Sequence, residues 1–421
     1  MNADALLART DLGSDAWWHA LRVLGTPLRR VRDDASLELD FFWRDAEAAA
    51  VYIDVWSHTP HVSTSPTALQ RVDGSDVWHW RTRLPADWRG SYFFVPVMAD
   101  ALPVPPSAAA RRDWWIALMA RHGSADPCNP LPPHGNGRGL ALSAIVPPDE
   151  RPHEPMRAQP AAALETWSWN SARLRNRRDV WLYRTAAADA RALPLLILLD
   201  GQCWARDAAL LAALATHTRD GLLPPAQYLF IDALDAATRA RELCCAPEFW
   251  LALQEEVLPR VAAQRAAGLQ ARDTVVVGQS FGGLAAVHAA LHWPQRYGAA
   301  LSQSGSFWWP DPQETGTGGW LTQQIRAGLA DGCAAPLHIE IGCYETDMLG
   351  VNRALHAALR DAGCRTQYRE FRGGHDWLCW RHELPAALAR LFAALHAPRD
   401  DATPTARSPA DARTRIAAES V

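Results

Sequence analysis

Between about residue 165 and residue 398 the chain alternates short apolar runs with longer stretches of helical periodicity. The apolar runs are DVWLYRT, PLLILLD, QYLFID, TVVVG, AALSQS, LHIEIG and TQYREF. Helical patterns at 207–218, 247–267, 282–293, 321–330, 351–362 and 380–395 separate most of them. A strand covered on both faces reads as an unbroken Val/Ile/Leu run, and neighbouring parallel strands need a crossover, usually a helix. The alternation therefore predicts an α/β fold with a mostly parallel sheet and helices on both faces. Reactive groups in such a sheet sit on loops at the carboxyl ends of the strands.

The first third reads differently. LELDFFWR, AVYIDVWS, VWHWRTRL and GSYFFVPVM are short, aromatic and alternating, with turn residues between them. They predict a smaller N-terminal β-sandwich domain, with an amphipathic helix around 17–23 packed on it. Pro and Gly crowd residues 130–160, which reads as an interdomain joint. The expected boundaries are 1–150 and 151–398, two domains being usual for 421 residues. The remainder, 399–421, is polar and Pro-containing and is expected to be disordered.

Composition narrows the chemistry. All 42 basic residues are Arg, so neither a Schiff-base lysine nor a Walker A lysine exists. A net charge of −4 gives no sign of a nucleic-acid or membrane-surface partner. The N-terminus lacks the pattern of a secretory signal, and no run of 18 apolar residues occurs. The eight Cys form no C-x-x-C pair, so reduced thiols and a cytoplasmic location are expected. No His/Cys/carboxylate cluster has ligand spacing, so neither a protein-bound metal nor another cofactor is expected.

One turn stands out. In TVVVGQSFGG a buried strand runs into Gly278-Gln279-Ser280-Phe281-Gly282, and a helix follows at once. This is the context of a nucleophile elbow, with Ser280 exposed on a strained turn and Gly278 and Gly282 leaving room for it. Serine needs a base, and His375 alone among the 15 histidines lies between a last strand and a last helix. The base needs a carboxylate. Glu345 and Asp347 both follow the LHIEIG strand, with Glu345 favoured, whereas Glu340 lies inside it. The order Ser…Glu…His is that of an α/β-hydrolase. Amides of Phe281 and of Gln202, on the loop after PLLILLD, are the expected oxyanion donors, and Cys203 beside them is a packing thiol.

LLDGQCWA, IDALDAATRARELCCAPEFWLALQEEVLP, GQSFGGLAA, SGSFWW and GGHDWLCWR together resemble the enterochelin (enterobactin) esterases. FFWR, LPADWRGSYFFVP and DPCNPLPP are similar to that family's N-terminal domain, so the resemblance spans roughly 15–398. It implies Ser280, His375 and Glu345 as nucleophile, base and acid. It also implies a cytoplasmic enzyme that opens the trilactone of ferric enterobactin, or a related catecholate siderophore, to free its iron. A different esterase or acyltransferase of the same fold, acting on feruloyl, acetyl or thioester substrates, is the alternative. Phe307, Trp308 and Trp309 form either an aromatic wall for catechols or core packing. Arg241 faces either an anionic substrate or Glu242 or Asp235. Arg177 and Arg178 read as surface charges.

Overall fold

The computed structural model describes residues 2–396 apart from 33, 35, 62–63, 136–138, 148–163, 187–189, 191 and 264–268. The expected tail 399–421 and the later part of the expected joint lie outside the described residues.

Two antiparallel sheets make up the N-terminal third. One orders Leu28–Val31, Ser36–Arg44, Val77–Pro85 and Gln70–Arg71. The other orders Thr67–Ala68, Ala50–Val55, Gly90–Val97, Ala141–Ile145 and His134–Gly135. Alternation turns Leu37, Leu39 and Phe41 of the first sheet onto Val51, Ile53, Val55, Tyr92 and Phe94 of the second, giving one shared core. The helix Asp15–Leu24 buries Trp17, Trp18 and Leu21 and is capped by Ser14 Oγ, which accepts from the Trp17 amide at 3.2 Å. Two expectations need correction. Residues 134–135 and 141–145 belong to the second sheet rather than to a joint; the flanking Gly and Pro hid the short run ALSAI. A helix at Ala108–His122 was not foreseen, because it buries only Trp115 and Leu118 and presents no continuous apolar stripe.

The rest is built on eight strands: β1 (Glu165–Ser171), β2 (Asn176–Arg184), β3 (Leu195–Leu198), β4 (Gln227–Ile231), β5 (Thr274–Gln279), β6 (Ala299–Gln303), β7 (Leu337–Gly342) and β8 (Thr366–Phe371). Their spatial order is β1-β2-β4-β3-β5-β6-β7-β8. β2 is antiparallel to both neighbours, and every pairing from β4 to β8 is parallel. Leu195 and Ile197 of β3 enter the core on one face, Leu196 and Leu198 that on the other. Both faces are thus covered, as a parallel sheet requires. β1 escaped the sequence reading because ETWSWNS mixes Trp with polar residues, as edge strands do.

Candidate active site

Ser280 follows β5 and precedes the helix Phe281–His292, with φ 58° and ψ −121°. A non-Gly residue in this region is strained, and its surroundings must impose it. They do: the Ser280 amide donates to Gln303 O at 3.1 Å, and Ser280 O accepts from the Ser306 and Leu284 amides at 3.0 and 3.1 Å. A Cβ on Gly278 would overlap the backbone of Gly282, and one on Gly283 would lie 2.5 Å from Ser302 Oγ. A Cβ on Gly282 would meet nothing nearer than 3.4 Å. Close approach therefore requires glycine at 278, as expected, and at 283, which the sequence also offers for close helix–sheet contact; Gly282, expected to leave room as well, is under no such constraint.

His375 follows β8 and Glu345 follows β7, so both share the carboxyl edge with Ser280. His375 Nδ1 lies 2.7 Å from Glu345 Oε2. With Nδ1 donating to the carboxylate, Nε2 keeps its lone pair. The other oxygen, Oε1, accepts from the Gly342 amide at 2.9 Å and from Ser304 Oγ at 2.5 Å. Ser304 Oγ in turn accepts from Trp380 Nε1 at 2.8 Å, and the Trp380 ring stands edge-on to that of His375. Glu345 is buried, while Asp347 is exposed in the first helical turn after it. Of the two carboxylates, Glu345, the one favoured in the sequence, is the one that meets His375.

Below the edge a buried polar chain ties β5, β6 and β7 together. Trp204 Nε1 donates to Gln279 Oε1 at 3.2 Å, Gln279 Nε2 to Gln303 Oε1 at 2.8 Å, and Gln303 Nε2 to Glu340 Oε1 at 2.8 Å. Phe281 and Gln202 each lie in the first turn of a helix, where amides have no intrahelical acceptor. The Gln202 side chain accepts from the Ala233 amide at 3.0 Å and so pins its loop to the end of β4.

The aromatic trio divides. Phe307 is buried in the core, Trp309 packs edge-on against Trp320, and Trp308 lies 5.5 Å, centroid to centroid, from Phe281, the residue after Ser280. Arg241 sits on the helix Ala236–Leu243 rather than on a loop. It is exposed and reaches Glu242 only at 3.9 Å. The inward arginine is Arg239, two residues earlier. It grips Asp200 through Nε and a terminal nitrogen at 2.6 and 2.7 Å, and that terminal nitrogen also donates to Gln279 O at 3.1 Å. Two residues on a helix are about 200° apart, so the pair faces opposite ways. The signal was there: Arg239 shares its face with the buried Glu242 and Leu243. Arg178, expected at the surface, is buried and paired with Glu242 at 2.7 Å; Arg177 is exposed.

Comparison with known proteins places this geometry. The family described as "Enterochelin esterase, N-terminal" matches residues 38–155, and that described as "Putative esterase" matches 171–391. The iron(III) enterobactin esterase of Dickeya dadantii is 41% identical over 406 residues, covering 89% of this chain and 92% of the relative. The chain belongs to the enterobactin esterase family. The iron(III) enterobactin esterase of Escherichia coli strain K12 is 38% identical, over 90% of this chain and 97% of its own length. The crystal structure of the Shigella flexneri enterobactin esterase in the presence of enterobactin superposes with a TM-score of 0.76 at 37% identity, covering 91% of this chain and 99% of that one.

Proposed function

We propose that the chain is a serine esterase that opens the ester bonds of an iron-loaded catecholate siderophore of the enterobactin type. Ser280 Oγ attacks the ester carbonyl while His375 Nε2 takes its proton. His375 then protonates the leaving alkoxide, and water, activated by the same nitrogen, releases the acyl group. Glu345 holds the imidazole in the required tautomer and supports its positive charge. The amides of Phe281 and Gln202 receive the oxyanion, where loss of one donor costs on the order of 3 kcal/mol in the transition state. Trp308, packed against Phe281 next to Ser280, offers an aromatic face for a catechol, and the iron is part of the substrate. The N-terminal sheets form the family's β-sandwich domain. A reducing cytoplasm suits a chain whose eight cysteines form no disulfide; among the described residues no helix is long and apolar enough to cross a membrane.

The observation that carries this reading is the 2.7 Å contact between His375 and a buried Glu345, at the same sheet edge as a strained Ser280. The feruloyl, acetyl or thioester alternative is not favoured, because relatives matched over nearly their whole length are enterobactin esterases. Mass spectrometry of ferric enterobactin, linear siderophore esters and aryl esters after incubation tests it. Ser280→Ala should lower kcat by several orders of magnitude and leave siderophore binding intact. Turnover within about tenfold of wild type would remove Ser280 from the role.

A further inference from the structure

The loop that carries His375 is held from the other end of the chain. It runs from the end of β8 at Phe371 to a helix starting at Trp377, and it includes Gly373 and Gly374. Two adjacent glycines leave a segment with wide backbone freedom. The His375 amide donates to Ser57 Oγ at 2.8 Å, across 318 residues. On the far side of His375, the buried Asp376 carboxylate accepts from both the amide and the hydroxyl of Ser91, the latter at 2.7 Å. Cys379 Sγ lies 3.3 Å from Arg89 O, Trp88 stacks on Tyr344 next to the acid, and Tyr344 Oη donates to Asp87 at 2.9 Å.

Two features show that the contact at Ser57 is built for close approach. Ser57 has φ 62°, a conformation that a serine holds only when its neighbours impose it. A Cβ on Gly374 would overlap both Cβ and Oγ of Ser57, so position 374 admits no side chain while the two segments touch.

We propose that Ser57 and Ser91 are positioning residues for the catalytic base: the N-terminal sheets supply the hydrogen-bond partners that fix the His375 loop. This rests on His375 being the base. It differs from a role in gripping the siderophore, because a loosened imidazole slows proton transfer for every ester, whatever its size.

Ser57→Gly removes the hydroxyl and relieves the backbone; Ser91→Ala removes one of the two bonds to Asp376. Each full-length variant is assayed on ferric enterobactin and on p-nitrophenyl acetate, with active sites counted by complete fluorophosphonate labelling. The expected result is a kcat per active site lowered roughly ten- to a hundredfold by the same factor on both esters. KM should stay unchanged, and the rate of labelling should fall in parallel. A second arm adds Gly374→Ala. Alone it should be worse than Ser57→Gly, and in the double variant activity should return to the Ser57→Gly level, because the overlapping atoms are gone. Wild-type kcat on both esters, or a loss confined to the siderophore, would overturn the proposal. Ser280→Ala in the same assay separates the two readings: if it retains turnover, the nucleophile assignment fails. If it is dead while Ser57→Gly and Ser91→Ala are normal, only the positioning role falls.

Discussion

The ion pair between Arg239 and Asp200 offers a sharp test of how the turn at Ser280 and the short helix that carries Gln202 are held together. Asp200 lies two residues beyond β3 at φ 54°, immediately before the short helix Gly201–Trp204 that carries Gln202, and its side chain is fully buried; that of Arg239 is 12% exposed. Two short bonds join them, and a third runs from Arg239 to the carbonyl of Gln279, the residue before Ser280. At an effective dielectric near 20 and about 4 Å between charge centres, the attraction is about 4 kcal/mol, opposed by the cost of desolvating both groups. Removing one partner leaves the other charge buried alone, which costs about 3–5 kcal/mol. Asp200→Asn is the right single change, since Asn tolerates the left-handed backbone that Ala would resist. Asp200→Asn and Arg239→Met should each lower the urea midpoint at constant slope. The double variant should be less destabilised than the sum by on the order of 2 kcal/mol. kcat on a small ester should fall with each single change, because Phe281 and Gln202 lose their fixed relation. A coupling energy below about 0.5 kcal/mol, the usual error of additivity, would refute the idea of a clamp.

Three further outcomes are expected. Glu345→Gln should lower kcat far more than Asp347→Asn, because only Glu345 meets His375; near-equal effects in steady-state assays would reassign the acid. Gly278→Ala should abolish activity and lower Tm sharply, whereas Gly282→Ala should leave a folded, active enzyme, which calorimetry and turnover together will show. Burial, with the neighbouring His292 adding to it, pushes the imidazole of His288 down to about 3. The folded protein therefore binds fewer protons than the unfolded chain, whose histidine titrates near 6.5, and stability falls as pH drops from about 6.5 toward 3. His288→Leu should flatten that slope, sparing about 2 kcal/mol of the loss between pH 7 and pH 5 in urea melts.

The large sheet was legible because seven of its strands are apolar runs set between helical patterns. Ser280 and His375 could be singled out as candidates because a reactive turn in this fold has a fixed place relative to strand ends, and the structure places both at the carboxyl edge of the sheet. Glu345 was favoured over Asp347 in the sequence, but the helical phase and burial that put Asp347 outside are visible only in the structure. What stayed hidden depends on distant partners. Arg178 looks like any surface arginine until Glu242, 64 residues on, packs against it. Arg239 and Arg241 differ only in which side of one short helix faces Asp200. Nothing local to Ser57 or Ser91 announces that the His375 loop will rest on them.

Those contacts also bear on the timing of assembly. Ser57 and Ser91 lie in the first quarter of the chain, and the residues that meet them lie 318 and 285 residues later. At 5–20 residues per second, the ribosome takes roughly 15–60 seconds to span that interval. Contacts so far apart in sequence carry a large loop-closure cost and form late. The sheets can therefore be complete while the loop between β8 and the last helix is still unanchored. In refolding from urea, far-UV circular dichroism should recover before esterase activity does, and the lag should measure the docking of one half of the protein on the other.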